Sequence, residues 1–340
     1  MATNNRIYWA VEGVSIAPQD ATTFTGTSIV HGLQTMGITT TFNLEQVFEI
    51  GQLAIYENIE DVPDIEVTME KVVDGYPLIF HLTTSGASTG TLAGRSGRKC
   101  NVLMNIYDDI LDSASGTPKT EVLMSGMYLS SVTYTAPVDG NCTEAVTVVG
   151  NNKIWRSANF LLSSDMFLNN DTTGASPSGV QRRQHVVFGS DTYASQNNTI
   201  LPGDIDGISS SGTNDKTGGV FAAHVQSITI SADLGRDALH ELGRKGPYFR
   251  YVNWPVEVST EVEILSIQGD QVDAAEEAEN TSDRSILLVL TDTTKVDCGT
   301  RNSLSNVAYG GADAGGGNAT DTYSFTGFND LTVTHDADPG

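Results

Sequence analysis

The sequence predicts a mainly β protein made of two tandem, similar domains, each with one short α-helix. Two observations lead there. Segments from the first half recur in the same order in the second, and apolar and polar residues alternate with a period of two between turns rich in Gly and Asp. A third observation describes the surface: 42 Asp and Glu stand against 18 Lys and Arg in 340 residues, a formal charge of −24. Such a surface repels phosphate backbones and anionic lipid, which argues against a reader of duplex DNA or a membrane anchor. With 39% apolar and only 18% charged residues, the chain is not a disordered one and buries a core.

The internal repeat sets the organisation. Leu33-Gln34-Thr35-Met36-Gly37-Ile38 aligns with Val225-Gln226-Ser227-Ile228-Thr229-Ile230, and Phe48-Glu49-Ile50-Gly51 with His240-Glu241-Leu242-Gly243. After a one-residue gap at Asp64, Ile65-Glu66-Val67-Thr68 falls on Val256-Glu257-Val258-Ser259, with Glu70 over Glu261. Both copies close alike: Leu129 to Tyr134 matches Leu304 to Tyr309, Glu144 meets Asp321, and Gly150 meets Gly327. The expected division is an arm at 1–29, a first domain at 30–155, a loop-rich connector at 156–221, a second domain at 222–335 and a tail at 336–340. The connector carries loop compositions around 169–174 and 209–214 and a candidate strand at His185-Val186-Val187-Phe188.

Within each copy the elements read strand, helix, strand, then further strands. Asn43 is placed to cap a helix whose Leu44, Val47 and Phe48 share a face, with Gly51 as its stop. Asp233, the stripe Leu234, Leu239 and Leu242, and Gly243 repeat that design. Next comes a strand in which Val256, Val258, Thr260, Val262 and Ile264 alternate with Glu257, Ser259, Glu261 and Glu263, so one face is dry and the other acidic. The first copy has Glu66, Thr68 and Glu70 outward in the same way.

The chemistry of a catalytic site is hard to find. His240-Glu241 begins like a zinc-binding His-Glu-x-x-His, but Arg244 occupies the second ligand position, leaving a helical histidine. Asp204 and Asp206 before Gly207, and Asp313 before Gly315, Gly316 and Gly317, lack the twelve-residue calcium loop with its terminal Glu and read as turns. The carboxylate pairs Glu66/Glu70 and Glu257/Glu261 are of the type used in glycoside hydrolysis, yet they lie on an open strand face. Cys100, Cys142 and Cys298 are an odd number at distant positions and read as small buried hydrophobes. The expectation is therefore a protein that is not an enzyme, with no cofactor and no metal. The N-terminus lacks the pattern of a secretory signal and no apolar run approaches the ~20 residues of a membrane span, which predicts a soluble protein made in a cytoplasm.

One loop differs between the copies. Gly86 to Lys99 carries Arg95, Arg98 and Lys99, whereas Asp270 to Asp283 carries Asp273, Glu276, Glu277 and Glu279. In an assembly of alternating copies these loops are candidate inter-subunit contacts, since complementary charge fixes orientation.

The runs Phe42 to Glu49 and Pro63 to Val67, together with Asp233 to Tyr251 and Pro255 to Val258, resemble tailed-bacteriophage virion proteins, specifically tail tube proteins. The resemblance implies a β-sandwich flanked by a helix, whose inner sheet joins those of neighbouring subunits into a continuous β-barrel. Six such domains make a ring, and stacked rings form the conduit for DNA ejection. The tube subunits it resembles carry one such domain and this chain two, so three chains would complete a pseudo-sixfold ring, with a hexamer as the alternative. The implied partners are further copies, other tail proteins (sheath, baseplate, terminator) and DNA that passes without specific binding. Location in the virion follows. Glu66, Glu70, Glu257, Glu261 and Glu263 are then the candidate lumen-lining residues. A baseplate ring or tail terminator shares the resemblance, and a carbohydrate-binding or carbohydrate-active β protein is the reading from another class.

Overall fold

The computed structural model describes residues 4–21, 24–87, 89–157, 178–188, 224–266, 269–270, 272, 283–314 and 316–338. The first half contains β1 (Glu12–Pro18), β2 (Leu33–Thr41), β3 (Leu44–Phe48), β4 (Ile55–Glu60) and β5 (Asp64–Val72). Two five-residue helices follow, α1 (Ile79–Thr83) and α2 (Leu92–Ser96), then β6 (Cys100–Ile106), β7 (Thr120–Pro137), β8 (Thr143–Gly150) and β9 (Asn152–Ser157). The strand expected in the connector is present as β10 (Val186–Phe188). The second half holds β11 (Val225–Asp233), β12 (Arg236–Leu239), β13 (Phe249–Val252), β14 (Glu257–Leu265), β15 (Leu287–Leu290), β16 (Lys295–Asp297), β17 (Ser303–Gly310), β18 (Thr320–Phe328) and β19 (Thr332–Thr334).

The fold is mainly β and sandwich-like, with antiparallel sheets that close no barrel within one chain. Its central feature is a run of eight strands ordered β2-β5-β8-β7-β11-β14-β18-β17, in which two four-strand units of the same internal order stand side by side. The seam is the pairing of β7 with β11, from Ser227 opposite Pro137 to Asp233 opposite Ser131. One face of this sheet is apolar: Val67, Met69, Val132, Val148, Ile228, Ile230, Val258, Val262, Tyr323 and Phe325 are buried in one contiguous core. Behind the first unit β7 turns a corner at Gly126, whose φ of +68° suits a residue without a Cβ, and its first half pairs with β6 and β9 while β6 pairs with β1. The second unit is backed by the sheet β10-β15-β16-β19. All three cysteines are buried.

Both expected helices are corrected. Leu44 to Phe48 and Arg236 to Leu239 are strands, each forming a hairpin with the next segment, and the two helices, among the described residues, lie between β5 and β6. The hairpins pair identically: Leu44 opposite Glu60 corresponds to Arg236 opposite Val252, an offset of 192 at both positions. Strand irregularities recur too, between Leu33 and Thr35 as between Val225 and Ser227, and between Leu129 and Ser131 as between Leu304 and Asn306. Pairing corrects the sequence alignment of β5 with β14 by two residues. Met36 pairs with Met69 and Ile228 with Val262, so Glu70 corresponds to Glu263 and Glu66 to Ser259. The shift is even, so the outward and inward faces are unchanged.

The two units differ in one buried polar pair. Glu144, fully buried, accepts hydrogen bonds from the Ile79 and Phe80 amides at the start of α1 (2.6 and 3.0 Å) and from the Tyr134 hydroxyl at 2.9 Å. Burial raises its carboxyl above the ordinary range, while Lys71 and these donors pull the other way. Asp321, its counterpart in the repeat, is equally buried, yet neither carboxylate oxygen has a hydrogen-bond partner among the described residues. Glu144→Ala, which removes one member of a satisfied buried set, is expected to cost about 3–5 kcal/mol, whereas Asp321→Ala in the monomeric chain stays within about 1 kcal/mol of neutral. Urea denaturation of the two full-length variants checks the contrast.

Candidate functional site

The opposite face of the eight-strand sheet is open, and its residues follow from the two-residue period. One row across it reads Thr143, Thr135, Thr229, Glu261, Ser324, Asn306, each opposite the next on the adjacent strand. Another reads Thr35, Glu70, Ala145, Thr133, Ser231, Ser259, Thr326, Ser303. The wall is thus hydroxyls punctuated by carboxylates. All five glutamates singled out from sequence lie on it. Glu66, Glu257 and Glu261 are exposed, and Glu70 and Glu263 are half-buried among the hydroxyls, the latter accepting from Ser227 Oγ at 3.2 Å. β5 and β14 stand four strand spacings apart, roughly 19 Å, so the carboxylates form two acidic stripes. Asp64 and Asp233 extend the stripes at the strand ends, which the same alternation identifies in retrospect.

The cations missing from this face are informative. Between Leu33–Thr41, Asp64–Val72, Thr143–Gly150, Val225–Asp233, Glu257–Leu265, Ser303–Gly310, Thr320–Phe328 and the β7 residues from Tyr128 to Pro137, the only Lys or Arg is Lys71. Lys71 points inward, fully buried, 3.2 Å from Asp74 and donating to the Pro77 carbonyl at 3.0 Å. These strands therefore offer a phosphate no cationic partner on the open face, and of the stripe carboxylates Asp64, at the strand end, is paired with a cation, Arg250.

The basic loop is held against its own chain. Arg95 lies on α2 and is buried, paired with Asp338 and donating to Thr84 Oγ1 at 3.1 Å. Arg98 donates through Nε to the Ser85 carbonyl at 3.1 Å, and the Lys99 ammonium sits 5.3 Å from the centre of the Tyr128 ring. These cations fasten their own chain, Arg95 buried and Arg98 and Lys99 half-buried. Asp273, Glu276, Glu277 and Glu279 lie outside the described residues, as do Asp204 and Asp206. His240 is exposed in the turn after β12, not on a helix.

At the seam, the hairpin β12–β13 leans across the first unit. Arg250 pairs with Asp64 and donates to Asn151 Oδ1 at 3.0 Å, Phe249 meets Tyr128 edge to face at 5.7 Å, and the Arg236 Nε donates to the Leu129 carbonyl at 2.7 Å. Its counterpart β3–β4 has no such contact among the described residues. Leu44, Phe48, Ile55, Tyr56 and Ile59 are exposed along it, and Ile50 and Leu53 at its turn are fully so. Sequence reasoning missed both hairpins as contact elements, although the repeat aligned them.

No family model matches this chain, and no curated protein matches it. Among solved structures it is similar to the cap of the anti-feeding prophage, the AFP tube terminating cap, at 10% identity and a TM-score of 0.33 over 46% of this chain and 95% of that one. It is likewise similar to a chain of the six-fold symmetrised AFP baseplate, at 12% identity and 0.32 over 46% of this chain and 98% of that one. Scores this low describe a partial likeness of chain path and say nothing of what the protein does.

Asp64 reports on the seam. Burial raises its carboxyl, but hydrogen bonds from Asn43, Arg250 and Asn151 and the Arg250 charge outweigh this and hold it below its ordinary 3.8. A depressed folded-state value means that the stabilisation is present above the unfolded value and is lost as pH falls through the folded one. Asp64→Asn is therefore expected to lower the melting temperature at neutral pH and to flatten its decline below about pH 4. Melting curves from pH 7 to pH 2.5 would show parallel declines if the ion pair contributed nothing.

Proposed function

We propose that this chain is a structural subunit of a phage tail, and specifically a tail tube protein whose copies close into rings that stack as a conduit for DNA. The observation that carries the reading is the eight-strand sheet, one face in the core and the other hydroxyl-lined, acidic and free of cations. A sheet whose two outer strands, β2 and β17, are unpaired among the described residues invites another chain, and closure into a ring removes both edges at once. Three chains with eight strands each give a 24-stranded barrel. With strands ~4.8 Å apart and tilted by about 40°, such a barrel has a backbone diameter of roughly 48 Å, wide enough to pass a duplex after side chains are allowed for.

The mechanism is passive and electrostatic, with no bond made or broken. A nucleic acid adheres to a protein chiefly through Lys and Arg that displace its condensed counterions. The wall has none to offer, so its carboxylates and the phosphates repel across about a Debye length, ~8–10 Å at physiological salt, and the duplex stays centred. The Ser and Thr hydroxyls keep the surface wetted without holding charge. The same wall would serve a single-ring component, so the test is how far rings stack.

Electron microscopy of the purified protein is expected to show stackable rings or hollow tubes. Isolated rings would point to a terminator or baseplate part, and dispersed monomers would remove the reading. In such particles Glu66→Lys with Glu261→Lys and Glu263→Lys is expected to turn a surface indifferent to duplex DNA into one that retains it, with affinity falling steeply as salt rises. Equal DNA retention by the unaltered particles would overturn the non-adhering wall.

A further inference from the structure

The seam inside the chain shows what its outer edges lack. β11 covers β7, and β12–β13 leans across the first unit; β17 and the pair β2 with β3–β4 are the same elements without their neighbours. Exposure follows that difference residue by residue. Tyr134, in β7, is 3% exposed, and its counterpart Tyr309, in β17, is 58% exposed. Val132 and Ile230 are buried, whereas Val307 and Ile38 at the equivalent outer positions are not. Arg250 is buried in the seam and Asn58, at its place in the first hairpin, is exposed. Inward-facing residues that are covered only in the inner copy mark where a partner belongs.

A second, independent observation lies one strand in. Tyr134 stands opposite Glu144 and donates its hydroxyl to it at 2.9 Å; Tyr309 stands opposite Asp321 in the same way. Asp321 is fully buried with neither oxygen hydrogen-bonded in good geometry among the described residues; burial raises its carboxyl, the nearby Ser266 hydroxyl acts against that and Asp270 adds to it. The tyrosine that would satisfy it is on an uncovered edge, free to swing into solvent.

We propose that β17 pairs antiparallel with β2 of a second copy of this chain in the register Ile38 opposite Tyr309, Thr39 opposite Ala308 and Thr40 opposite Val307, and that this pairing folds Tyr309 onto Asp321. The register is that of the inner seam, where Ile230 faces Tyr134, Ser231 faces Thr133 and Ala232 faces Val132, carried over by the shared strand irregularities. A slip of one residue would turn the apolar side chains of both edges outward, and a slip of two would misalign the irregularities. The hairpin β3–β4 of that second copy then lies across the ends of β14 and β18. There Glu257 and the exposed Phe328 replace Asp64 and Asn151, and the exposed Leu44, Phe48 and Ile59 replace the polar reach of Arg236 and Arg250. The outer contact is therefore more apolar than the inner one. This rests on the self-assembly in the reading above and adds to it the edges, the register and the residue that reports closure.

Disulfide trapping tests it in the full-length chain. Thr39 and Ala308 are both exposed on the wall face, so Thr39→Cys with Ala308→Cys leaves the core alone, and paired positions in a sheet fall within disulfide reach. The native thiols are buried and pushed up to about 12, so mild oxidation reads the new pair. The expected result is an oxidation-dependent ladder that ends at a closed species, formed at least about tenfold faster than with Thr39→Cys and Asn306→Cys, which sit two residues out of register. Equal or faster trapping of the shifted pair in particles that still assemble overturns the register and leaves the conduit reading standing. No trapping by either pair, with the chain monomeric by light scattering, overturns both. Tyr309→Asp gives a second arm. It is expected to leave the circular dichroism of the single chain unchanged and to weaken assembly at least about 100-fold, and unimpaired assembly would refute the burial of Tyr309.

Discussion

The pairing of β7 with β11 is the constraint on which the rest of the structure depends. Seven residue pairs, from Ser227–Pro137 to Asp233–Ser131, join two four-strand units into one sheet, and every feature of the wall follows from that join. It fixes which side of both units is core, because a sheet has only two faces and Val132, Tyr134, Ile228 and Ile230 must share one of them. It aligns the glutamates of β5 and β14 on the other. It also leaves β2 and β17 as the outer strands of the sheet, neither with a further strand beside it among the described residues.

Around that seam the two units have diverged where their surroundings differ. The first buries a polar set, Lys71 with Asp74 and Glu144 with α1 and Tyr134, which an inner position can satisfy. In the second, Ile264 faces Val225 where Lys71 faces Leu33, and Asp321 has no hydrogen-bond partner of good geometry among the described residues. The C-terminal segment ties the halves together from behind. Thr332 bridges to Thr91, the Val333 carbonyl lies 3.0 Å from His81 Nε2, and Asp338 pairs with Arg95. Burial lowers the His81 pKa to about 4, so this clasp holds a neutral imidazole at ordinary pH and adds no charge to the core. The basic residues of α1 and α2, His81 and Arg95, are therefore spent on internal fastening.

The repeat and the alternating strands were legible because both are local patterns with a fixed period. Thr, Val and Glu in β14 can satisfy a two-residue alternation in one way only, and burial follows it without exception from Glu257 to Leu265. The helices misled for an equally physical reason. Leu44, Val47 and Phe48 fit a helical stripe over five residues, too short a window to exclude a strand whose partner, Ile55–Glu60, lies beyond it. Gly51 and Gly243 read as helix stops because a helix end and a hairpin turn both ask for positive φ, here +109° and +86°. Arg95 could not have been placed from its neighbours, since Asp338 lies 243 residues away in sequence. Tyr309 has a local sequence like that of Tyr134, and only the topology separates a middle strand from an edge.

Concentrating carboxylates on one sheet face ought to weaken the sheet, since like charges directly opposite one another on adjacent strands are destabilising. The pairing avoids that cost. Glu66 faces Thr39 and Val149, Glu70 faces Thr35 and Ala145, Glu261 faces Thr229 and Ser324, and Glu263 faces Ser227 and Thr322. Each of these four glutamates is flanked across the sheet by neutral residues, most of them hydroxyl-bearing, and the two acidic stripes are separated by three strands with no Asp or Glu on the open face until Asp233 at the end of β11. Charge is thus concentrated on one face of the sheet yet sparse enough between neighbouring strands to leave the ladder intact. The strands that meet at the outer edges obey the same spacing, because β2 and β17 carry no acidic residue at all. An edge without carboxylates can accept another strand without repulsion, so the sheet keeps its acidic stripes on the inner strands β5 and β14 and its two outer strands neutral.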